Sequence, residues 1–150
     1  MTTVRCYLPL SAESLVRLRD ERRLTGPLRA TAVTEQARAA EPTADEDELE
    51  YAASQAAAAS LAGSGAPVVV AAADVQDRDV RADGGGWIHV DGVLELARVA
   101  ALHLGDDVVS GRREPLPAPG EDLELSWFDT TELDHVLELT ERLARTDTAG

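Results

Sequence analysis

The feature that most constrains this chain is the run Pro67-Val68-Val69-Val70-Ala71-Ala72-Ala73, continuously apolar and closed by Asp74. It is short for a buried helix and opens on β-branched residues. It therefore predicts a strand buried on both faces, lying centrally in a sheet. Upstream, residues 3–8 alternate, with Val4, Cys6 and Leu8 on one side, and predict a half-buried strand that Pro9 ends. Ser11 is a good N-cap, and Leu10 and Leu15 are spaced as a hydrophobic staple around it. A helix is expected over residues 12–23, with Leu15, Val16 and Leu18 inward and Arg17, Arg19, Arg22 and Arg23 outward.

The turn Gly26-Pro27 leads to a second strand over 28–33, and Thr34 opens a short helical piece that Pro42 stops. Thr43 to Glu46 reads as a capping box for a long helix to about residue 62, with Leu49, Ala52, Ala53, Ala56 and Leu61 on its buried stripe. Gly84-Gly85-Gly86 is a turn into an alternating strand over 87–91. Residues 98–104 fit helix or strand, and the alternation of Val99, Ala101 and His103 favours strand. Residues 105–122 read as a long surface loop. Asp129 and Glu132 form a capping box for a final helix, and residues 146–150 are expected to fray. The expected fold is α+β: one domain over 1–150, with a mixed or antiparallel sheet of four to five strands and three main helices packed largely on one side.

Composition limits the function. All 14 basic residues are arginine, with no lysine and no asparagine in the chain. A Schiff-base or pyridoxal-phosphate enzyme and a Walker-type phosphate loop each need a lysine, so these classes are excluded. The lone Cys6 has no partner for a disulfide or a zinc cluster. The net charge of -14 is uneven. Residues 1–40 are slightly basic and the remainder strongly acidic. Such a surface repels phosphate backbones, so nucleic-acid binding is not expected. No segment resembles a secretory signal or a membrane span, which predicts a cytoplasmic protein that does not enter membranes.

Val4-Arg5-Cys6-Tyr7-Leu8-Pro9, Glu48-Leu49-Glu50-Tyr51-Ala52-Ala53, Val68-Val69-Val70-Ala71-Ala72-Ala73-Asp74, Arg98-Val99-Ala100-Ala101-Leu102-His103 and Ser126-Trp127-Phe128 together resemble an uncharacterised family of short acidic actinobacterial proteins. The resemblance spans most of the chain. It implies one compact domain and cytoplasmic residence, and it carries no functional residue with it.

Two groups of residues have chemical potential. His89 with Asp91, and His103 with Asp106, make a His/carboxylate set suited to acid–base or metal-dependent catalysis if their strands are neighbours. The acidic segment around Glu46 and Glu50 suits a basic protein surface better than a metal. It lacks calcium-loop spacing, and carboxylates in the first turns of a helix are already stabilised by the macrodipole. Trp87 and Trp127 are candidate interface anchors, because aromatics make up only 3% of the chain. His135 reads as a solvent-facing helix residue. The leading expectation is a non-enzymatic interaction or regulatory module that binds a protein partner or a second copy of itself, without cofactor or metal. The alternative is a small enzyme centred on His89, Asp91, His103 and Asp106.

Overall fold

The structure, a computed structural model, describes residues 2–113, 117, 118 and 120–149. In chain order the elements are β1 (Thr3–Pro9), α1 (Ala12–Glu21), β2 (Arg23–Thr25), β3 (Leu28–Ala32), α2 (Glu35–Ala40), α3 (Glu46–Gly63) and β4 (Val69–Gln76). There follow β5 (Val80–Gly84), β6 (Trp87–Val90), β7 (Val93–Glu95), β8 (Val99–Gly105), α4 (Asp106–Ser110), β9 (Leu125–Phe128) and α5 (Leu133–Ala149). The fold is α+β. Seven strands form an antiparallel sheet in the order β5-β6-β3-β1-β4-β8-β9, and β2 pairs with β7 as a separate ribbon.

The apolar run becomes β4, between β1 and β8, and its residues Val69 to Ala73 are buried. Of residues 98–104, all but Arg98 are strand, as their alternation predicts; Arg98 ends a short 3-10 turn. The count of four to five strands is too low. β5 and β9 are short and mostly polar or half-exposed, and β2 and β7 have three residues each, so none shows a sustained period-two pattern. Residues 105–122 are not all loop, because β8 ends at Gly105 and α4 follows at once. Residues 114–116 and 119 of that segment lie outside the described residues, as does Gly150. α5 continues to Ala149, through residues expected to fray.

Capping follows side-chain chemistry. The Ser11 hydroxyl accepts the Ser14 N–H at 3.1 Å. Asp129 and Glu132 form the reciprocal box that opens the turn into α5. On α3 the cap is Asp45, whose carboxylate accepts the Glu48 N–H at 2.8 Å, and not Thr43. The carboxylate makes a charge-assisted bond to an N–H at the positive end of the helix, and it wins over the hydroxyl two residues earlier.

The three long helices divide between the two faces, which corrects the expectation that they share one side. Cys6 and Leu8 of β1 and Val69, Ala71, Ala73 and Val75 of β4 face a core closed by Leu15 and Leu18 of α1 and by Val136, Leu137 and Leu143 of α5. Tyr7, Val70 and Ala72 face the other way, against Ala53, Ala57, Ala58 and Leu61 of α3. A central strand apolar on both faces needs cover on both. Buried Thr31 fixes α3 in place by donating to the Ala53 carbonyl at 2.5 Å.

The sheet also coils. β4 and β5 stand four strand places apart, about 19 Å in a flat sheet at ~4.8 Å per place. Only Asp77 to Asp79 join them, and the chain from Gln76 to Val80 spans at most about 14 Å. β5 and β6 must therefore swing back towards the ends of β1 and β4. Thr3, Gln76, Asp79 and Val90 accordingly line one small cavity of about 250 Å³. The coil opens at β1, which pairs with β4 from Thr3 to Pro9 but with β3 only at Cys6↔Ala32 and Tyr7↔Thr31.

Candidate functional site

On the face that α3 half covers, alternation along β1 brings Arg5 to the same side as Tyr7. The register sets Arg5 opposite Asp74. The two join as a fork, Nε to Oδ1 at 2.8 Å and Nη2 to Oδ2 at 3.1 Å. That hydrogen bonding is the main reason the guanidinium sits above its usual pKa. The pair spans the centre of the sheet below the first turns of α3, with each side chain a little over a third exposed.

Two open clefts border Arg5. The larger, about 820 Å³, occupies the split between β1 and the β3-β6-β5 arm and is bordered by Trp87, Glu46, Glu50, Glu35 and Asp77. Its far wall is tied down by the Gly85 N–H donating to Gln36 Oε1 at 3.2 Å and the Ala32 N–H donating to the Gly86 carbonyl at 3.1 Å. The Gly84-Gly85-Gly86 turn in that wall holds φ of 90°, 62° and 85°, a left-handed run that a Cβ would strain. The second cleft, about 470 Å³, lies across β1, β4 and β8 and is bordered by Tyr7, Tyr51, His103 and Trp127. Arg5 and Glu50 line both, so the two clefts adjoin on either side of these side chains, and together they are called the groove below.

The groove is acidic. Five carboxylates line the larger cleft, from Glu35, Glu46, Glu50, Asp74 and Asp77, against the guanidinium groups of Arg5 and Arg38. Arg5 is bound to Asp74, and Arg38 Nη2 meets Glu46 Oε1 at 2.7 Å. Glu35, Glu50 and Asp77 have no salt-bridge partner among the described residues. Trp87 is stacked under the Arg29 guanidinium at 3.6 Å. Trp127 is 64% exposed on the edge strand β9 and Tyr51 is 51% exposed on α3. The Tyr51 hydroxyl donates to Asp122, and hydrogen bonding to that carboxylate raises its pKa.

The groove gathers Trp87, Trp127, Glu46, Glu50 and His103 from the sequence-derived candidates and leaves out the others. His89 on β6 and His103 on β8 have β3, β1 and β4 between them, so they are not on neighbouring strands and share no site. The reason is topological. The central strand 69–76 and the first strand both insert between them, which a local reading of residues 87–104 does not contain. Asp91 is held by Arg81 in a fork of 2.6 and 3.0 Å, and His89 lies 3.7 Å from Asp83. Asp106 is exposed in the first turn of α4. His135 is exposed and 3.9 Å from Glu138, a solvent-facing helix residue. No group of three or more His, Cys, Asp or Glu is arranged to hold a metal ion among the described residues.

His103 is half-buried, and burial, then the charge of Arg5, lower its pKa, so the imidazole is neutral near pH 7. It has no hydrogen-bond partner among the described residues, where a general base needs an orienting one. Tyr7 is pushed up by burial first and then by Glu50. Cys6 faces the opposite, closed core, and burial pushes its thiol to about 12. This assembly suits recognition of a ligand more than proton transfer. Sequence reasoning missed Arg5, Tyr7 and Asp74. The signal was an Arg and an Asp placed inside otherwise apolar strands, where each needs a charged neighbour.

The model of a family of unknown function, DUF6912, matches residues 4–137. No curated protein and no solved structure matches the chain. None of its helices is long and apolar enough to cross a membrane among the described residues.

Proposed function

The chain belongs to DUF6912, a family of unknown function, and from that premise we propose that it is a non-enzymatic interaction module that receives a partner protein along the groove beneath the first turns of α3. The observation that carries the reading is convergence: the two tryptophans and the acidic start of α3 border two adjoining clefts that share Arg5 and Glu50. Aromatics concentrate at binding hot spots, and this chain has two tryptophans, one bordering each cleft. The catalytic alternative is not favoured, because His89, Asp91, His103 and Asp106 lie apart and Asp91 is neutralised by Arg81. A second copy is a poor occupant, since it would set one strongly acidic surface against another.

The test is affinity capture from the native host, followed by calorimetry of the purified partner against the wild type and against Trp87→Ala/Trp127→Ala and Glu46→Gln/Glu50→Gln. Each double variant is expected to weaken binding by about tenfold or more. Unchanged affinity in both would remove the groove from the interface. Self-association of the purified chain in sedimentation, lost in the same variants, would make a second copy the partner instead.

A further inference from the structure

We infer that the smaller cleft, across β1, β4 and β8, is a receptor for a guanidinium group. It lies in the groove read above as a protein-binding surface but does not rest on that reading. The recognition chemistry is the same whether a small molecule or an arginine side chain carries the group.

The sheet shapes the cleft. On this face Tyr7 stands opposite Ala72, and Ala72 opposite Ala101, so β4 and β8 supply methyl groups where β1 supplies a tyrosine. His103 and Trp127, opposite one another on β8 and β9, raise the other side. From α3 come Asp47, Glu50, Tyr51 and Ser54, spaced i, i+3, i+4 and i+7 and so on one face of the helix. The Tyr51 ring is held at the rim by the bond from its hydroxyl to Asp122 at 2.9 Å. At about 470 Å³ the cleft falls within the ~300–1,000 Å³ of small-ligand sites.

Several groups around it have bonding capacity that the fold does not use. Tyr7 is only 7% exposed, yet its hydroxyl has no hydrogen-bond partner among the described residues. The neutral imidazole of His103 has none either. Asp47 and Glu50 form no salt bridge among the described residues, whereas the charge of Arg5 is taken up by the fork to Asp74. The cleft therefore offers acceptors and a surplus of negative charge. Trp127 adds an exposed ring. What such a ring accepts is seen elsewhere in the same molecule: Trp87 carries the Arg29 guanidinium at 3.6 Å, while no cation lies over Trp127 among the described residues.

Shape and hydration choose among cations. A guanidinium is planar and weakly hydrated, so it can stack on an indole while the N–H groups in its plane donate to carboxylates, to the Tyr7 oxygen and to a His103 nitrogen. A primary ammonium is a compact, strongly hydrated charge that loses more on leaving water. A quaternary ammonium is attracted to the rings but has no N–H for the acceptors.

The experiment titrates the intact protein with n-butylguanidine, n-butylamine and butyltrimethylammonium, which share a tail and differ in the head, followed by NMR. The guanidine is expected to shift the Tyr7, His103 and Trp127 resonances and to bind at least about threefold more tightly than the other two. Asp47→Asn/Glu50→Gln should weaken it by about tenfold and Trp127→Leu by about threefold, while Trp87→Leu changes it by less than about twofold. Amide spectra verify that each variant is folded. Equal affinity for the three cations, or no shift at those residues up to about 20 mM guanidine, overturns the site. Full affinity in both the carboxylate variant and Trp127→Leu does the same. Free arginine and a blocked Gly-Arg-Gly peptide then separate the sources. Both support the site: tighter binding of the amino acid assigns it to a small molecule, tighter binding of the peptide to a side chain of a protein partner. If a captured partner ignores the groove variants while butylguanidine binds the wild type, the interface reading fails and the guanidinium site stands.

Discussion

The two faces of the sheet are built from the same strands and come out opposite in kind. On one, Cys6, Leu8, Val69, Ala71 and Leu102 are sealed under α1 and α5, with exposures of 0 to 2%. On the other, α3 covers Tyr7, Val70 and Ala72 and leaves Arg5, Asp74, His103 and Trp127 in an open groove. β1 supplies both sides from adjacent residues: Cys6 to the core, Arg5 and Tyr7 to the groove. A single strand can thus carry stability and recognition at once, separated by nothing more than the period of two. A residue's face, more than its place along the chain, decides what its replacement does.

That contrast can be broken experimentally. The largest effect should follow truncation on the sealed face. Leu18, fully buried on α1, has no solvent into which its cavity can relax, and Leu18→Ala should lower unfolding free energy by about 3 kcal/mol in a urea titration. A loss under about 1 kcal/mol would mean that this face is not a close-packed core.

A smaller effect, confined to acid, belongs to His103 in the groove. Its folded-state pKa lies below the ordinary 6.5 because burial and Arg5 disfavour the imidazolium. The stabilising contribution is therefore present above about pH 6.5 and is lost as pH falls below it. The urea midpoint should drop between pH 7.5 and 5.5 by more in the wild type than in His103→Gln. Identical pH profiles would show that the groove is as well hydrated as bulk surface at that point.

The smallest effect on stability should come from Trp127→Ala, because the side chain is 64% exposed. Its unfolding free energy should stay within about 0.5 kcal/mol of wild type, even though the residue borders the groove. A large loss would move Trp127 from recognition into structure and erase the distinction between the faces at the sheet edge.

Local chemistry made much of the fold legible in the sequence. The seven-residue apolar run could only be a central strand, and Val4, Cys6 and Leu8 declared the buried side of β1. Ser11 and the Asp129/Glu132 box marked helix starts, because an N–H without a partner needs an acceptor within three residues. What stayed hidden was non-local. That β1 and β4 separate β6 from β8 depends on long-range pairing, so His89 and His103 looked like partners when they are not. The Arg5–Asp74 fork joins residues 69 positions apart. Of the groove, Trp87, Trp127, Glu46 and Glu50 were found as types of residue suited to binding, while the pair at its centre was found only by register.

The alanines beneath α3 have one more consequence. Ala53, Ala57 and Ala58 meet Val70 and Ala72, so the spacing between helix and sheet is set by methyl groups. They act as a shim: the thickness of one row of side chains fixes the clearance between the Glu46–Glu50 end of the helix and the strands below it. A longer side chain at Ala57 or Ala58 would raise the roof without touching the groove lining itself. The dimension of the opening is thus written in residues that no bound molecule would contact.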